Sequence, residues 1–184
     1  MHFQIYLTAR AQQVFGFKSR DITHDSKVPL LGDWLAIWRC DHLVTDRTGA
    51  HACIFTNAAT YYCLLVTVAD SNFDVLLRTF YTQLFSQFQG EGVQVPPGIQ
   101  CPTILLRGNP RTLIGVMNQQ VFDAEYCLWE RGMEPKDTES HVNKGIYGAP
   151  NYLHPISEFA RLIKESPPFA EIEGNSSPGL FPLN

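Results

Sequence analysis

The chain opens on Met1-His2-Phe3-Gln4-Ile5-Tyr6-Leu7-Thr8, which reads as a strand, and Thr8 is placed to cap a short helix that Gly16 would stop. Residues 18–29 are polar, contain one proline and keep no period, so they read as a connecting loop. From residue 33 the pattern becomes β-like: Trp34, Ala36, Trp38, Cys40 and His42 share one parity. Thr45-Asp46-Arg47-Thr48-Gly49 then supplies turn chemistry before His51-Ala52-Cys53-Ile54-Phe55, which predicts a hairpin. A second reversal at residues 56–60 leads into Tyr61-Tyr62-Cys63-Leu64-Leu65-Val66-Thr67-Val68, completing a three-stranded antiparallel meander. The last of these strands is apolar on both faces, which predicts a central, covered position.

Helical periodicity takes over at residue 73. Ser71-Asn72-Phe73-Asp74 has the form of a capping box, and Phe73, Leu76, Leu77, Phe80, Tyr81, Leu84, Phe85 and Phe88 recur at i, i+3, i+4 and i+7. Gly90 and Gly92 end that helix, and Pro96-Pro97-Gly98 precedes a short strand at residues 103–106. A second helix is predicted from residue 111 or 112 to 130, with Ile114, Met117, Val121, Ala124 and Leu128 on one stripe and Asn118, Gln119, Asp123 and Arg131 on its other side. Residues 133–153 are polar and rich in turn formers, after which Pro155 opens a short helix bearing Ile156, Phe159, Ala160 and Ile163. These elements predict a single α+β domain over residues 1–165: an antiparallel sheet of about four to six strands with helices packed mainly on one face. Residues 166–184 carry four prolines and read as a flexible tail, although Leu180, Phe181 and Leu183 could form a short docking motif.

Composition narrows the function classes. The 184 residues are 45% hydrophobic and only 17% charged, which disfavours a long disordered or polyelectrolyte chain. Residues 1–92 hold 7 basic and 8 acidic side chains and the remainder 7 and 10, so neither half has the positive bias that general nucleic-acid coating demands. No apolar run approaches the roughly 20 residues of a membrane span, and the start lacks a secretory signal, so a cytoplasmic location is expected. The five cysteines are odd in number and form no C-x-x-C pair, so they read as buried free thiols. A Cys40–Cys53 disulfide would need one particular hairpin register and is the less favoured reading.

The motifs for Rossmann cofactors, P-loop nucleotides, α/β-hydrolases and zincins are missing from the sequence, and no cofactor is expected. His42 and His51 flank the first hairpin turn and can approach one another beside Asp41 and Asp46. Solvated or locally paired histidines explain that arrangement more simply than a metal, so no metal site is expected. Any of five cysteines matched with any of six histidines carries no nucleophile signal. Arg107-Gly108-Asn109-Pro110-Arg111-Thr112 combines two guanidinium groups with a helix start and could hold an anion, although a plain strand-to-helix connection is the stronger reading. Asn57 with Thr60 reads either as a side-chain-bonded turn or as an amide offered to a ligand, the turn being simpler. Trp34 and Trp38 read as core or rim aromatics.

Taken in order, Leu31-Gly32-Asp33-Trp34, Ile54-Phe55-Thr56-Asn57-Ala58-Ala59-Thr60 and Gly115-Val116-Met117-Asn118 give the chain a resemblance to a bacterial family of uncharacterised proteins, domain of unknown function 6933. The resemblance covers most of residues 1–164. It departs at Arg10 and Gln12-Gln13, where the family start is lysine-rich, and in the proline-rich tail. It implies no established activity. The expected function is a small cytoplasmic binding or interaction module for a protein or small ligand, with Asp33, Trp34, Asn57, Thr60, Arg107, Arg111 and Asn118 as the binding candidates. The alternative is an enzyme acting on nucleic acid or a phosphorylated small molecule, in a toxin or defence setting, using Arg107 and Arg111 as anion ligands and Asp33 or a histidine as acid/base. A homodimer that buries part of the aromatic surface is a third reading.

Overall fold

A computed structural model describes residues 2–18, 21–24, 33–43, 50–107, 111–147 and 154–169. The first hairpin turn, Gly32, Gly108 to Pro110 and the tail from residue 170 lie outside the described residues, as do the side chains of residues 111–113. The described elements are β1 (Phe3–Leu7), α1 (Ala9–Val14), β2 (Thr23–His24), β3 (Ile37–His42), β4 (His51–Asn57), β5 (Cys63–Val68), α2 (Phe73–Gly90), β6 (Thr103–Arg107), α3 (Arg111–Glu125), α4 (Pro135–Asn143) and α5 (Pro155–Glu165). A π-helical turn over Tyr126–Glu130 prolongs α3. Thr8 caps α1 by accepting from the Ala11 N–H, while Asn72 rather than Ser71 caps α2, its side chain taking the N–H groups of Asp74 and Val75.

The described strands form one mixed sheet in the order β2-β6-β1-β3-β4-β5. The meander β3-β4-β5 is antiparallel as its short turns require. The rest corrects the antiparallel expectation, because β1 lies between β3 and β6 and is parallel to both, and β2 joins β6 in parallel. Strands so far apart in sequence are joined by long crossovers, and a crossover carrying a helix such as α2 delivers its strand in parallel. The two-residue β2 also falls in a stretch read as loop.

Helices cover both faces of the sheet, which corrects the one-faced expectation. On one face Phe73, Leu76, Phe80, Leu84 and Phe88 of α2 and Phe159 and Ile163 of α5 pack over Phe3, Ile5, Trp38, Phe55, Leu64 and Val66. On the other, Met117, Val121 and Ala124 of α3 and Val142 of α4 pack over Leu43, Ala52, Ile54, Cys63 and Leu65. The α3 stripe predicted from periodicity is the one that faces this second layer. All five cysteines are free thiols, and β3-β4 pairing sets Cys40 opposite Phe55 and Cys53 opposite His42.

β5 is covered on both faces yet lies at the end of the sheet, which corrects its expected central position. Its free edge is closed by α4, in a stretch whose sequence is polar and rich in turn formers. Asn143 accepts from Cys63 N–H and donates to Cys63 C=O, both at 2.8 Å, and Glu139 accepts from Leu65 N–H at 2.7 Å. Two polar side chains on successive turns thus satisfy an edge that would otherwise recruit another strand. Burial pushes Glu139 up to about 7, against opposing effects of the Leu65 hydrogen bond and Lys136. A carboxyl group raised by folding favours the native state below its unfolded value near 4.5, and that contribution is lost as pH rises through about 7. Glu139→Gln keeps an acceptor for Leu65 and cannot ionise. It is expected to be more stable than the parent at pH 8, by up to about 3 kcal/mol, and to lose the advantage at pH 4. Urea titrations at the two pH values check this.

Candidate functional site

Four of the predicted residues meet in one corner, below the N-terminal end of β3. Asn57 and Thr60 are fully buried, Trp34 is half-buried and Asp33 is exposed. The Asn57 amide donates to Trp34 C=O at 3.1 Å and Ile37 C=O at 3.4 Å, and its oxygen accepts from Ala59 N–H, Thr60 N–H and Thr60 Oγ1. Thr60 Oγ1 accepts in turn from Tyr62 N–H, Asp33 accepts from Leu35 N–H, and Trp34 Nε1 donates to Ser166 C=O while its ring meets Phe159 edge-on. Tyr61 inside this turn has φ +59°, a left-handed conformation held by Asn57 C=O and by Gln120 Nε2 on its carbonyl. The hydrogen-bonding capacity of Asn57 and Thr60 thus goes into building the corner that joins β4 to β5 and anchors β3.

The other three candidates lie elsewhere. Arg107 ends β6, whose last pair runs Arg107–Leu7–Cys40 across to β3, so it lies at the opposite end of the sheet from Asp33 and Asn57. Arg111 begins α3, and Asn118 is exposed on that helix. Arg107 and Asp33 are therefore not brought together, and the Arg111 side chain lies outside the described residues.

A different polar group is brought together. Trp38, Cys40 and His42 point to the first core, so Arg39 and Asp41 face the layer of α3. Arg39 sits opposite Tyr6 of β1 and Thr56 of β4, and it is 4% exposed. Its Nε and Nη1 find no hydrogen-bond partner among the described residues. Burial lowers the guanidinium pKa, and the charge of nearby Asp41 works in the opposite direction. Asp41 itself spends Oδ1 on Thr8 Oγ1 at 2.7 Å and on His42 N–H at 2.9 Å. On the far side Thr56 Oγ1 donates to Gln120 Oε1 at 2.8 Å, and Gln120 is fully buried. Gln4 and Tyr6 of β1 complete the buried polar face. A buried cation is costly unless it is fully paired; any anionic group that reached Arg39 would meet two unpartnered donor nitrogens, Nε and Nη1, in a site where hydrogen bonds are stronger than in water.

At the C-terminal end of β3 the two histidines do meet, His42 Nε2 lying 3.2 Å from His51 Nδ1, with Phe15 packed beside both rings. Burial, then His51 and Arg10, push His42 down to about 4, so it is neutral at physiological pH. Arg10 donates to His42 C=O and to Glu125 at 2.8 Å, tying α1 to α3. Among the described residues no three His, Cys, Asp or Glu side chains gather as metal ligands, and no described helix is long and apolar enough to cross a membrane.

Arg39 was hidden from sequence reasoning by its parity. With helices expected mainly on one face, nothing in the sequence marks the positions alternating with Trp38 and Cys40 as buried. The available signal was a cation and an anion two residues apart in a strand whose neighbours are apolar on both faces.

The model for the domain of unknown function DUF6933 matches residues 4–158, and the chain belongs to that family. None of the curated proteins and none of the solved structures matches it.

Proposed function

We propose that the protein is a binding module that takes an anionic group of a small ligand at Arg39, on the polar face between β1, β3, β4 and α3. The observation that supports this is the guanidinium group itself, 4% exposed with Nε and Nη1 unpartnered among the described residues. A cation retained in an interior with two of its three nitrogens unpartnered among the described residues is stability given up, and binding sites are where such losses concentrate. Thr56 and Gln120 form a fixed polar wall beside it, and Asp41 is pinned by Thr8 and His42 N–H.

Arg39→Met, which keeps the length of the side chain and removes the charge, tests the reading. The variant is expected to be at least as stable as the parent in urea, since exchanging buried ionic groups for apolar ones of similar volume is often neutral or stabilising by about 1–4 kcal/mol. Sodium phosphate or sodium acetate, compared with sodium chloride at equal ionic strength, is expected to raise the melting temperature of the parent and leave Arg39→Met unmoved. A variant destabilised by more than about 2 kcal/mol would mean that the guanidinium is bonded within the native fold. That result, or a parent indifferent to both anions, overturns the proposal.

A further inference from the structure

The side chains of α4 that cover the β5 edge form a series that stops short of the strand's end. Asn143 serves Cys63 and Glu139 serves Leu65. The step repeats because four helical residues rise about 6 Å while two strand residues advance about 6.7 Å. The next member of the series is residue 135, over Thr67, and it is a proline with neither a polar side chain nor an N–H to offer. Residues 63, 65 and 67 turn their backbone groups away from β4 by the two-residue repeat, so Leu65 C=O and Thr67 N–H face outward, and neither is bonded to another described segment. A cleft of about 290 Å³ lies at this gap, between α2 and α4. Its lining brings acceptors from three elements: Leu65 C=O, the second carboxylate oxygen of Glu139, and Gln83 Oε1, which is buried and unpartnered among the described residues. Lys136, also in the lining, adds a cation that forms no ion pair among the described residues.

We propose that this cleft binds a free α-amino acid, its ammonium group donating to Leu65 C=O, Glu139 and Gln83 and its carboxylate accepting from Thr67 N–H beside Lys136. The backbone groups left open are the pair that one extended residue uses in parallel pairing, where it donates to the carbonyl before its neighbour and accepts from the N–H after it. Here that neighbour is Val66. An ammonium group carries three donors and no acceptor, and the lining supplies three acceptors for it. The Glu139 carboxyl, which burial pushes up to about 7, is the group whose charged form a ligand cation restores. The size fits a single amino acid rather than a peptide, since the cleft stands at the lower end of the roughly 300–1,000 Å³ of small-molecule sites. The cleft is also separate from Arg39, because β4 stands between β3 and β5.

Amide NMR of the full chain titrated with L-alanine to about 30 mM tests the proposal. The Leu65 and Thr67 signals are expected to shift and saturate, and to do the same in Arg39→Met, which separates this cleft from the anion site. N-acetyl-L-alanine keeps the carboxylate and loses the ammonium, so it is expected to leave both signals in place. Glu139→Gln retains the acceptor for Leu65 N–H, and Gln83→Leu removes only an unpartnered amide. Each is expected to weaken L-alanine binding at least about tenfold without lowering the urea midpoint. Leu65 and Thr67 signals unmoved by L-alanine, equal binding of N-acetyl-L-alanine, or either variant binding as the parent does would overturn the proposal. So would tighter binding of L-alanyl-L-alanine, which would assign the cleft to peptide N-termini, or a lowered urea midpoint in Gln83→Leu, which would show the amide to be bonded within the fold.

Discussion

Asn57→Ala is expected to destabilise the fold by about 3–5 kcal/mol, a large part of the roughly 5–15 kcal/mol that holds a domain together. The amide makes five hydrogen bonds in a fully buried corner, two donated to carbonyls that precede or open β3 and three accepted from Ala59 and Thr60. Alanine removes both sides of this exchange. Two N–H groups and the Thr60 hydroxyl lose their acceptor, two carbonyls lose a donor, and the left-handed Tyr61 loses the frame that keeps it in place. Each orphaned buried group costs about 1–3 kcal/mol unless water reaches it. Neighbours should rank below it: Thr60→Ala loses one accepted and one donated bond, and Asp33→Ala loses only the contact with Leu35 N–H. Urea midpoints of the three variants check the order. An Asn57→Ala protein as stable as Asp33→Ala would mean that the amide is available to a ligand after all.

The corner also shows why some elements were legible in the sequence and others were not. The meander follows from local information, since alternation sets the faces and each turn sets the register, so residues 51–68 pair as their pattern requires. Helix α2 is legible for the same reason, its cap, its apolar stripe and Gly92 at φ +83° all lying within a few residues of its ends. The position of β1 is not local. Its partners are β3, about thirty residues on, and β6, about a hundred residues on, and nothing in Phe3-Gln4-Ile5-Tyr6-Leu7 announces either. Helix α4 escaped because it packs through the wrong kind of residue. In Pro135-Lys136-Asp137-Thr138-Glu139-Ser140-His141-Val142-Asn143 only Val142 is a buried apolar contact, and the helix is held by polar side chains on a strand edge that the sequence does not reveal.

The same distinction governs the candidate sites. Asn57 and Thr60 read either as a side-chain-bonded turn or as an amide offered to a ligand, and their side chains make the turn bonds. Arg39 could be recognised only once α3 was known to roof the second face of the sheet, because the physical anomaly is burial, a property of the folded chain.

Phe80→Ala should produce the largest loss of all. Phe80 is fully buried at the centre of the first core, stacked on Phe55 at 4.3 Å and meeting Trp38 edge-on at 5.1 Å, Tyr81 at 5.2 Å and Phe3 at 6.4 Å. Those rings come from β1, β3, β4 and α2, so one side chain bridges the parallel and antiparallel parts of the sheet and holds both to the helix. Truncation of a buried phenylalanine costs about 3–5 kcal/mol, and lost ring pairs add about 0.5–1.5 kcal/mol each. Rigid aromatic neighbours on separate strands cannot collapse into the space, which sets the expectation at or above the upper end. Phe80→Leu should cost less, because the methyl groups retain most of the volume. Phe122→Ala supplies the contrast: the same residue type, 65% exposed, should change the urea midpoint by no more than about 0.5 kcal/mol. Near-UV circular dichroism and urea unfolding of the three variants measure both. A loss below about 2 kcal/mol for Phe80→Ala would show that the two halves of the sheet are held together by something other than this aromatic centre.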